Sequence, residues 1–178
     1  MKNDYLSGVL ITESKVDPVD GHEFTEGERL RHSRLGVITE LGELIDIWKK
    51  HIYYGKDISE THLIEEVGDL FWYVGLGFNV YGIIAANPEM DLINAPNAVV
   101  VLEKAMFVVT DDSIDFEDRL QFVYRAAVTV VRMQGLDYDA ILDKNLTKLR
   151  KRYGDSFDAD RAINRDTAAE YAAMEQEG

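Results

Sequence analysis

Two pairs of carboxylates with the same spacing stand out in this sequence of 178 residues. Glu40 and Glu43 are three positions apart, and Glu66 and Asp69 repeat that spacing. Residues three apart on a helix lie within about 60° of each other, so each pair would share one helix face. The stretch between Glu43 and Glu66 is long enough to finish one helix, turn and begin an antiparallel neighbour. The spacing predicts that the two pairs face each other across a groove.

Four converging carboxylates repel one another strongly, so such a site needs protons or cations to neutralise it. Hard oxygen ligands select Mg²⁺, with Mn²⁺ as a possible substitute, and these ions in turn recruit phosphates. A glycine lies inside each pair, Gly42 in the first and Gly68 in the second. Each costs roughly 1 kcal/mol relative to alanine in a helix, which close helix approach or room for a ligand would explain. A single such pair is usually a solvated surface feature, but two on consecutive helices are less easily dismissed.

A di-iron carboxylate bundle is the rival metal site, and it requires Glu-x-x-His motifs. No histidine in the chain has a glutamate three residues before it. The histidines are His22, His32, His51 and His62, preceded at that distance by Val19, Arg29, Trp48 and Ser59. The sequence therefore excludes the di-iron site.

Helical periodicity dominates the chain, and no region is rich in strand signals. The apolar face of the longest predicted helix, 26–51, consists of Leu30, Leu35, Ile38, Leu41, Ile45 and Trp48. Asp57 or Ser59 can cap the next helix, which runs to about residue 85. Other predicted helices span about 5–13, 98–109, 115–132 and 138–153. For 98–109 we favour helix although the run of three valines would also suit a strand.

The predicted fold class is all-α, a helical bundle built around two antiparallel helices that carry E-x-x-E and E-x-x-D. We expect a single domain, 1–178, because the length suits one domain with a proper core. Its core spans about 26–85 and 135–153. An extra helical insertion covers about 88–134, and a frayed C-terminal tail covers 154–178.

The composition limits the partners and the compartment. The net charge of −14 argues against a nucleic-acid polymer held by bulk electrostatics, and the apolar fraction of 46% argues against disorder. The absence of cysteine excludes thiolate chemistry and fits the cytoplasm. No signal peptide is expected at the N-terminus. The uncharged segment Leu70–Pro88 approaches the length of a membrane span, but we interpret it as a buried helix without a membrane partner.

Around these carboxylates the sequence resembles the MazG-like all-α nucleoside triphosphate pyrophosphohydrolases. Their signature is E-x-x-E, a spacer, then E-x-x-D, and the segments 35–40, 54–56 and 65–73 extend the match. A second block, Asn145–Tyr153, is similar to the N-x-x-K-L-x-x-R-Y block of the family. The resemblance covers about residues 5–83 and 135–166. The stretch 88–134 departs from compact members and leaves the choice of substrate open.

The resemblance implies Mg²⁺-dependent hydrolysis of a (d)NTP between its α and β phosphates, giving the monophosphate and pyrophosphate. Glu40, Glu43, Glu66 and Asp69 would hold the metal, and one glutamate would accept a proton from water. The sequence does not say which glutamate that is.

Further candidates would contact the substrate. Lys148 and Arg152 are candidates to stabilise the leaving pyrophosphate, although both could belong to a solvated basic face. Asn145 could contact the nucleotide, and Tyr73 could bound the base or lie in the core. Lys50 could reach a phosphate, although a surface position is the more usual one for lysine.

Two alternatives stay open. A phosphoribosyl-ATP pyrophosphohydrolase would differ only in its substrate. A non-catalytic helical protein on the same fold would use segment 70–88 for assembly. For the enzyme we expect a homodimer or homotetramer with a small-molecule nucleotide substrate.

Overall fold

The computed structural model describes residues 1–83 and 92–153, together with Phe157 and Ala172. These residues form six helices, which confirms the predicted all-α class. The one β contact among them is an isolated bridge between Val16 and Glu23. The helices are α1 (Asn3–Thr12), α2 (Glu26–Tyr54), α3 (Glu60–Tyr81), α4 (Ala98–Thr110), α5 (Phe116–Met133) and α6 (Tyr138–Tyr153).

Local sequence signals set the ends of α2 and α3. Thr25 and Glu28 form a reciprocal capping box at the start of α2. Ser59 caps α3 by accepting the backbone N–H of His62, so Ser59 and not Asp57 is the cap. Both helices end at a glycine in the left-handed region, Gly55 and Gly82, each with φ of 66°.

The helices α2 and α3 form an antiparallel hairpin, as predicted. The Ser33 hydroxyl on α2 donates to the Tyr73 carbonyl on α3 at 2.7 Å, while Glu43 approaches Glu66 near the turn. The core side of α2 differs from the predicted apolar face. Leu41 and Trp48 are buried, but Leu35 is 55% exposed. The buried face is shifted round the helix because α3 and α4 both pack against it; it consists of Val37, Leu41, Leu44, Ile47 and Trp48.

The region predicted as an insertion supplies α4 and α5, which complete the bundle. Helix α4 packs against α2, and α5 packs against α3. Leu102 on α4 and Leu120 on α5 are fully buried in the same core as α2 and α3. A side chain at Gly77 on α3 would meet Leu120 at 2.4 Å, so α5 approaches α3 closely at that point. The described part of this region, 92–134, therefore contributes to the core of the bundle.

Helices α1 and α6 cover α3 on its remaining side and pack against each other. The part of the uncharged segment within α3, from Leu70 to Tyr81, is largely buried, as expected of a core helix. No described helix is both long and apolar enough to cross a membrane. The remainder of that segment from 84 on, and the predicted tail 154–178 apart from Phe157 and Ala172, lie outside the described residues.

Candidate active site

Three of the four predicted metal ligands come together between α2 and α3. Glu40, Glu43 and Glu66 each offer a carboxylate oxygen, and these oxygens all lie within 4.8 Å of one another. Glu66 is 6% exposed, Glu40 is half-buried and Glu43 is exposed. The antiparallel hairpin produces this cluster because it places the E-x-x-E segment of α2 beside the start of the E-x-x-D segment of α3.

Two of the three glutamates, Glu66 and Glu40, hold protons more tightly than isolated carboxylates do. Burial and then the nearby charges of Glu43 and Glu40 raise the pKa of Glu66 to about 9. Burial and then the charge of Asp69 raise the pKa of Glu40 to about 7. A divalent cation would relieve the same repulsion that these protons relieve. The donor set consists of hard oxygens from closely spaced carboxylates, so it fits Mg²⁺ or Mn²⁺.

Asp69, the fourth predicted ligand, has a different set of partners. Both of its carboxylate oxygens lie 2.6 Å from Nζ of Lys148, and Oδ1 also accepts from Nδ2 of Asn145 at 2.7 Å. Asp69 is not a member of the three-glutamate cluster, although its charge acts on Glu40. Asp69 therefore lies between the cluster and α6: its charge acts on Glu40, and its hydrogen bonds go to Lys148 and Asn145 of α6.

Lys148 is fully buried at the contact between α3 and α6. Besides Asp69, its ammonium group lies 3.6 Å from Oε1 of Glu65, a carboxylate that is itself buried. Charge-assisted bonds of this kind are strong, and a buried ammonium group requires them. The sequence predicted that the ammonium group of Lys148 contacts the leaving group of a substrate. In the structure it forms ion pairs with two carboxylates of the protein, those of Asp69 and Glu65.

Asn145 is also committed to protein partners. Its Oδ1 accepts from the Tyr5 hydroxyl at 2.8 Å, and that hydroxyl also lies 3.3 Å from the Gly68 carbonyl. An added Cβ at Gly68 would be 3.0 Å from Cβ of Asn145, so the expected close helix approach is confirmed for this glycine. At Gly42, by contrast, the described residues leave open space around a Cβ, and the packing gives no reason for this glycine.

A cavity of about 500 Å³ adjoins the carboxylates, and Glu40 and Asp69 form part of its wall. Much of the remaining wall is aromatic, and polar side chains complete it. The aromatic residues are Phe24, Trp72, Tyr73, Tyr153 and Phe157, and the polar ones include Thr12, Ser14, Glu28, His32 and Arg152. Such a wall offers stacking surfaces beside a charged end.

Tyr73 and Arg152, two predicted substrate contacts, line this cavity. The ring of Tyr73 fills the space above Gly36, where an added Cβ would lie 2.1 Å from the ring. Burial, followed by the charge of Glu40, raises the pKa of Tyr73 to about 12, which keeps its hydroxyl protonated. The guanidinium carbon of Arg152 lies 5.5 Å from the centre of the Tyr153 ring.

Lys50 is the predicted substrate contact that the structure places elsewhere. Its ammonium group pairs with Asp46 one turn earlier on α2, and its side chain is 45% exposed. It does not belong to the described wall of the cavity. Its position is that of a surface lysine in an ion pair within one helix.

Sequence reasoning missed three residues at this site. Glu65 contacts Lys148, Tyr5 holds Asn145, and His32 lines the cavity. His62, one turn before Glu66 on α3, lies beside it as the helical spacing indicates, with Nδ1 at 3.2 Å from Oε1 of Glu66. Glu65 carried a usable signal, because a glutamate in a predicted buried helix needs a partner. The positions of Tyr5 and His32 at the site depend on segments far away in the sequence, and no local pattern predicts them.

No protein-family model matches the chain, and it matches neither a curated protein nor a solved structure.

Proposed function

We propose that the chain is a Mg²⁺-dependent hydrolase that cleaves a nucleoside triphosphate between its α and β phosphates. The products would be the nucleoside monophosphate and pyrophosphate. The observation that carries this proposal is the three-glutamate cluster beside a cavity whose wall includes five aromatic side chains, with Glu40 belonging to both the cluster and the cavity wall. A triphosphate carries a charged end and an aromatic base, and these two features suit the two parts of the site.

Glu40, Glu43 and Glu66 would hold Mg²⁺, or Mn²⁺ in its place. A bound divalent ion supplies charge screening for the triphosphate and lowers the pKa of a bound water. The burial of Glu66 and the raised pKa values of Glu66 and Glu40 support this assignment, because the cluster is unfavourable without protons or cations. Asp69 would act beside them, held in place by Lys148.

The cavity wall supplies the remaining functions in this proposal. Its aromatic rings would stack on the base, and the guanidinium of Arg152 would donate hydrogen bonds to phosphate or base. Lys148 would act as a positioning residue, because its ammonium group lies on Asp69. Of the four predicted ligands, Glu40 and Asp69 line the cavity, so one of these two would accept the proton from the attacking water.

The cytoplasm is the proposed compartment, since nucleoside triphosphates and reduced proteins occur together there. The absence of cysteine is compatible with this compartment. The proposal needs neither a nucleic-acid polymer nor a membrane as a partner. We also propose that the enzyme is a homo-oligomer, either a dimer or a tetramer.

A substrate panel with product identification tests the proposal. The purified full chain is incubated with the common NTPs and dNTPs and with phosphoribosyl-ATP, in Mg²⁺, in Mn²⁺ and in EDTA, and the products are separated by ion-exchange chromatography. We expect monophosphate and pyrophosphate in equal amounts, and no turnover in EDTA. Release of inorganic phosphate and a diphosphate would contradict the proposed bond cleavage.

A matched pair of variants on α3 links the activity to the cluster. Glu66→Gln should lower turnover by at least about 10²-fold, as removal of a key electrostatic group does in other enzymes. Glu60→Gln removes an exposed carboxylate from the first turn of the same helix and should leave turnover unchanged. Turnover of phosphoribosyl-ATP alone would identify the narrower enzyme. No turnover, together with no Mg²⁺ binding by calorimetry, would favour the non-catalytic protein.

A further inference from the structure

The outer face of α4 exposes an apolar surface that the proposed function does not use. Phe107 is 73% exposed, although the opposite side of the helix lies in the core. Val100, Phe107, Val108 and Phe122 line a shared shallow groove of about 450 Å³, together with Glu103 and Lys104. Adjoining exposed apolar residues with a rim of charged ones are typical of surfaces that bind another protein.

The arrangement of charges on this face is regular. Val100 and Phe107 are seven residues apart, so they lie about 20° from each other around the helix. Glu103 and Lys104 lie about 50° to either side of the line that joins them, at nearly the same height on α4. The face therefore has an apolar line with one negative and one positive flank.

This arrangement is self-complementary for one orientation of two identical helices. Around a two-fold axis parallel to α4, the negative flank of each helix meets the positive flank of the other. Around a two-fold axis perpendicular to the helices, as in an antiparallel pair, Glu103 would meet Glu103 and Lys104 would meet Lys104. Like charges at such positions destabilise a helix pair.

We propose that α4 packs against α4 of a second copy of this chain, in a parallel pair around a two-fold axis along the helices. Val100 then meets Val100, Phe107 meets Phe107, and Glu103 pairs with Lys104 of the other copy on both flanks. An isologous interface of this kind closes after two copies, which gives a dimer. This inference does not depend on the proposed catalytic activity.

The absence of cysteine from the chain gives a direct test of the pairing. Single cysteines are introduced as Val100→Cys and, as a control on the exposed side of α6, Asp143→Cys. Under mild oxidation the full chain with Val100→Cys should form a covalent dimer, because the two cysteines face each other across the axis. The control should stay monomeric on a non-reducing gel. Cross-linking of a mixture of Val100→Cys and Phe107→Cys chains, without cross-linking of Val100→Cys alone, would overturn the parallel orientation.

Sedimentation over a range of protein concentrations tests the same face without a cross-link. The natural chain should form a dimer, and Phe107→Ser should weaken it by at least tenfold while thermal melting stays unchanged. A natural chain that remains a monomer throughout would overturn the proposal. A dimer unaffected by Phe107→Ser would also overturn it, because another surface, or another segment of the chain, would then be responsible.

Charge reversal separates the pairing from simple apolar contact. Glu103→Lys and Lys104→Glu alone should each weaken the dimer by about 3- to 10-fold, since each reversal breaks two symmetry-related surface ion pairs. The double variant should restore the natural affinity, because it recreates both pairs with opposite signs. Failure of the double variant to recover would overturn the Glu103–Lys104 pairing.

Discussion

The two hairpins of the bundle bury different kinds of side chain. The α2–α3 hairpin buries Glu66 of the cluster and its neighbour Glu65, whereas the α4–α5 hairpin presents an almost entirely apolar side to the same core. Among the described residues, the buried polar side chains of α4 and α5 are Arg119 and Thr129. One hairpin thus concentrates like charges and the other contributes hydrophobic burial.

The apolar burial on the second hairpin explains how the fold tolerates its site. Burying carboxylates near one another lowers stability, because each loses hydration and repels its neighbours. Fully buried aliphatic residues on the second hairpin, such as Val101, Leu102 and Leu120, each contribute about 1.5–3 kcal/mol. The comparison predicts that changes in the first hairpin or at its α6 contact alter activity, and that changes in the second alter stability alone.

The largest effect is expected from Lys148→Met, which removes the buried ammonium group but keeps an unbranched side chain only one atom shorter. Asp69 and Glu65 would lose a shared partner, and breaking a buried ion pair costs about 3–5 kcal/mol. We expect a lower melting temperature together with at least about 10²-fold lower turnover. Circular-dichroism melting and the pyrophosphate assay measure the two effects. Natural turnover by the folded variant would show that Asp69 needs no positioning.

Leu102→Ala in the second hairpin should lower stability without lowering the turnover of the folded protein. The substitution leaves a cavity in the core beneath α4 and should cost about 2–5 kcal/mol. For a chain of this size we expect a fall of about 10 °C in the melting temperature. Turnover is measured well below the transition. A large loss of turnover there would mean that the second hairpin also shapes the site.

Stability of the metal-free protein should fall as the pH rises from about 5 to 9. The pKa of Glu66 is raised to about 9 in the folded state, so the folded state binds a proton that the unfolded state releases above its ordinary pKa near 4.5. Its stabilising proton is therefore fully effective at low pH and is lost as the pH passes through about 9. Melting in EDTA at several pH values measures the slope.

Two variants show whether the cluster causes that slope. Glu66→Gln should reduce the slope, because an amide does not titrate, and the remainder comes from Glu40, whose pKa is also raised. Glu60→Gln in the same helix should retain the full slope. Adding Mg²⁺ to the natural chain should restore stability at high pH, since a cation that binds the folded state raises its stability. An unchanged slope in Glu66→Gln would assign the pH dependence to other groups.

The smallest effects are expected from a pair of glycine substitutions within the first hairpin. Gly42→Ala should raise stability by up to about 1 kcal/mol, because its surroundings are open and alanine favours a helix. Gly68→Ala should lose this benefit, because the new Cβ would press on Asn145, whose amide is held at both ends. Chemical denaturation of both variants measures the difference. Equal stabilisation would show that α6 moves aside without cost.

Much of the fold was predictable because the determining signals are local. The apolar periodicity and the caps predicted the helices, and the repeated acidic spacing on two consecutive helices predicted that carboxylates would converge. The predicted ligands Glu40, Glu43 and Glu66 lie together for that reason. The interpretation of 88–134 as an insertion did not predict that α4 and α5 belong to the core. A hydrophobic pattern shows that a helix has an apolar face, but not which neighbouring helix covers that face.

The exposure of Leu35 illustrates the same difficulty within one helix. Helix α2 carries apolar residues around more of its surface than one neighbouring helix can cover. The apolar periodicity alone therefore could not identify which side of the helix is buried. The assignment of Lys148 also needed the fold. Its sequence block suggested a phosphate contact, whereas the contact between α3 and α6 places the ammonium group on Asp69 and Glu65.

The helices, the all-α class and the acidic side chains that could bind a divalent cation are predictable from the amino-acid sequence. These properties follow from helical period, capping and side-chain chemistry, all of which act over a few residues. The packing of the helices selects the carboxylates that share the cluster and brings Tyr5 and Asn145 to support Asp69. It also assembles aromatic residues from distant segments into the wall of one cavity. Those arrangements depend on the packing of segments far apart in the chain, where burial rather than local preference selects the partners.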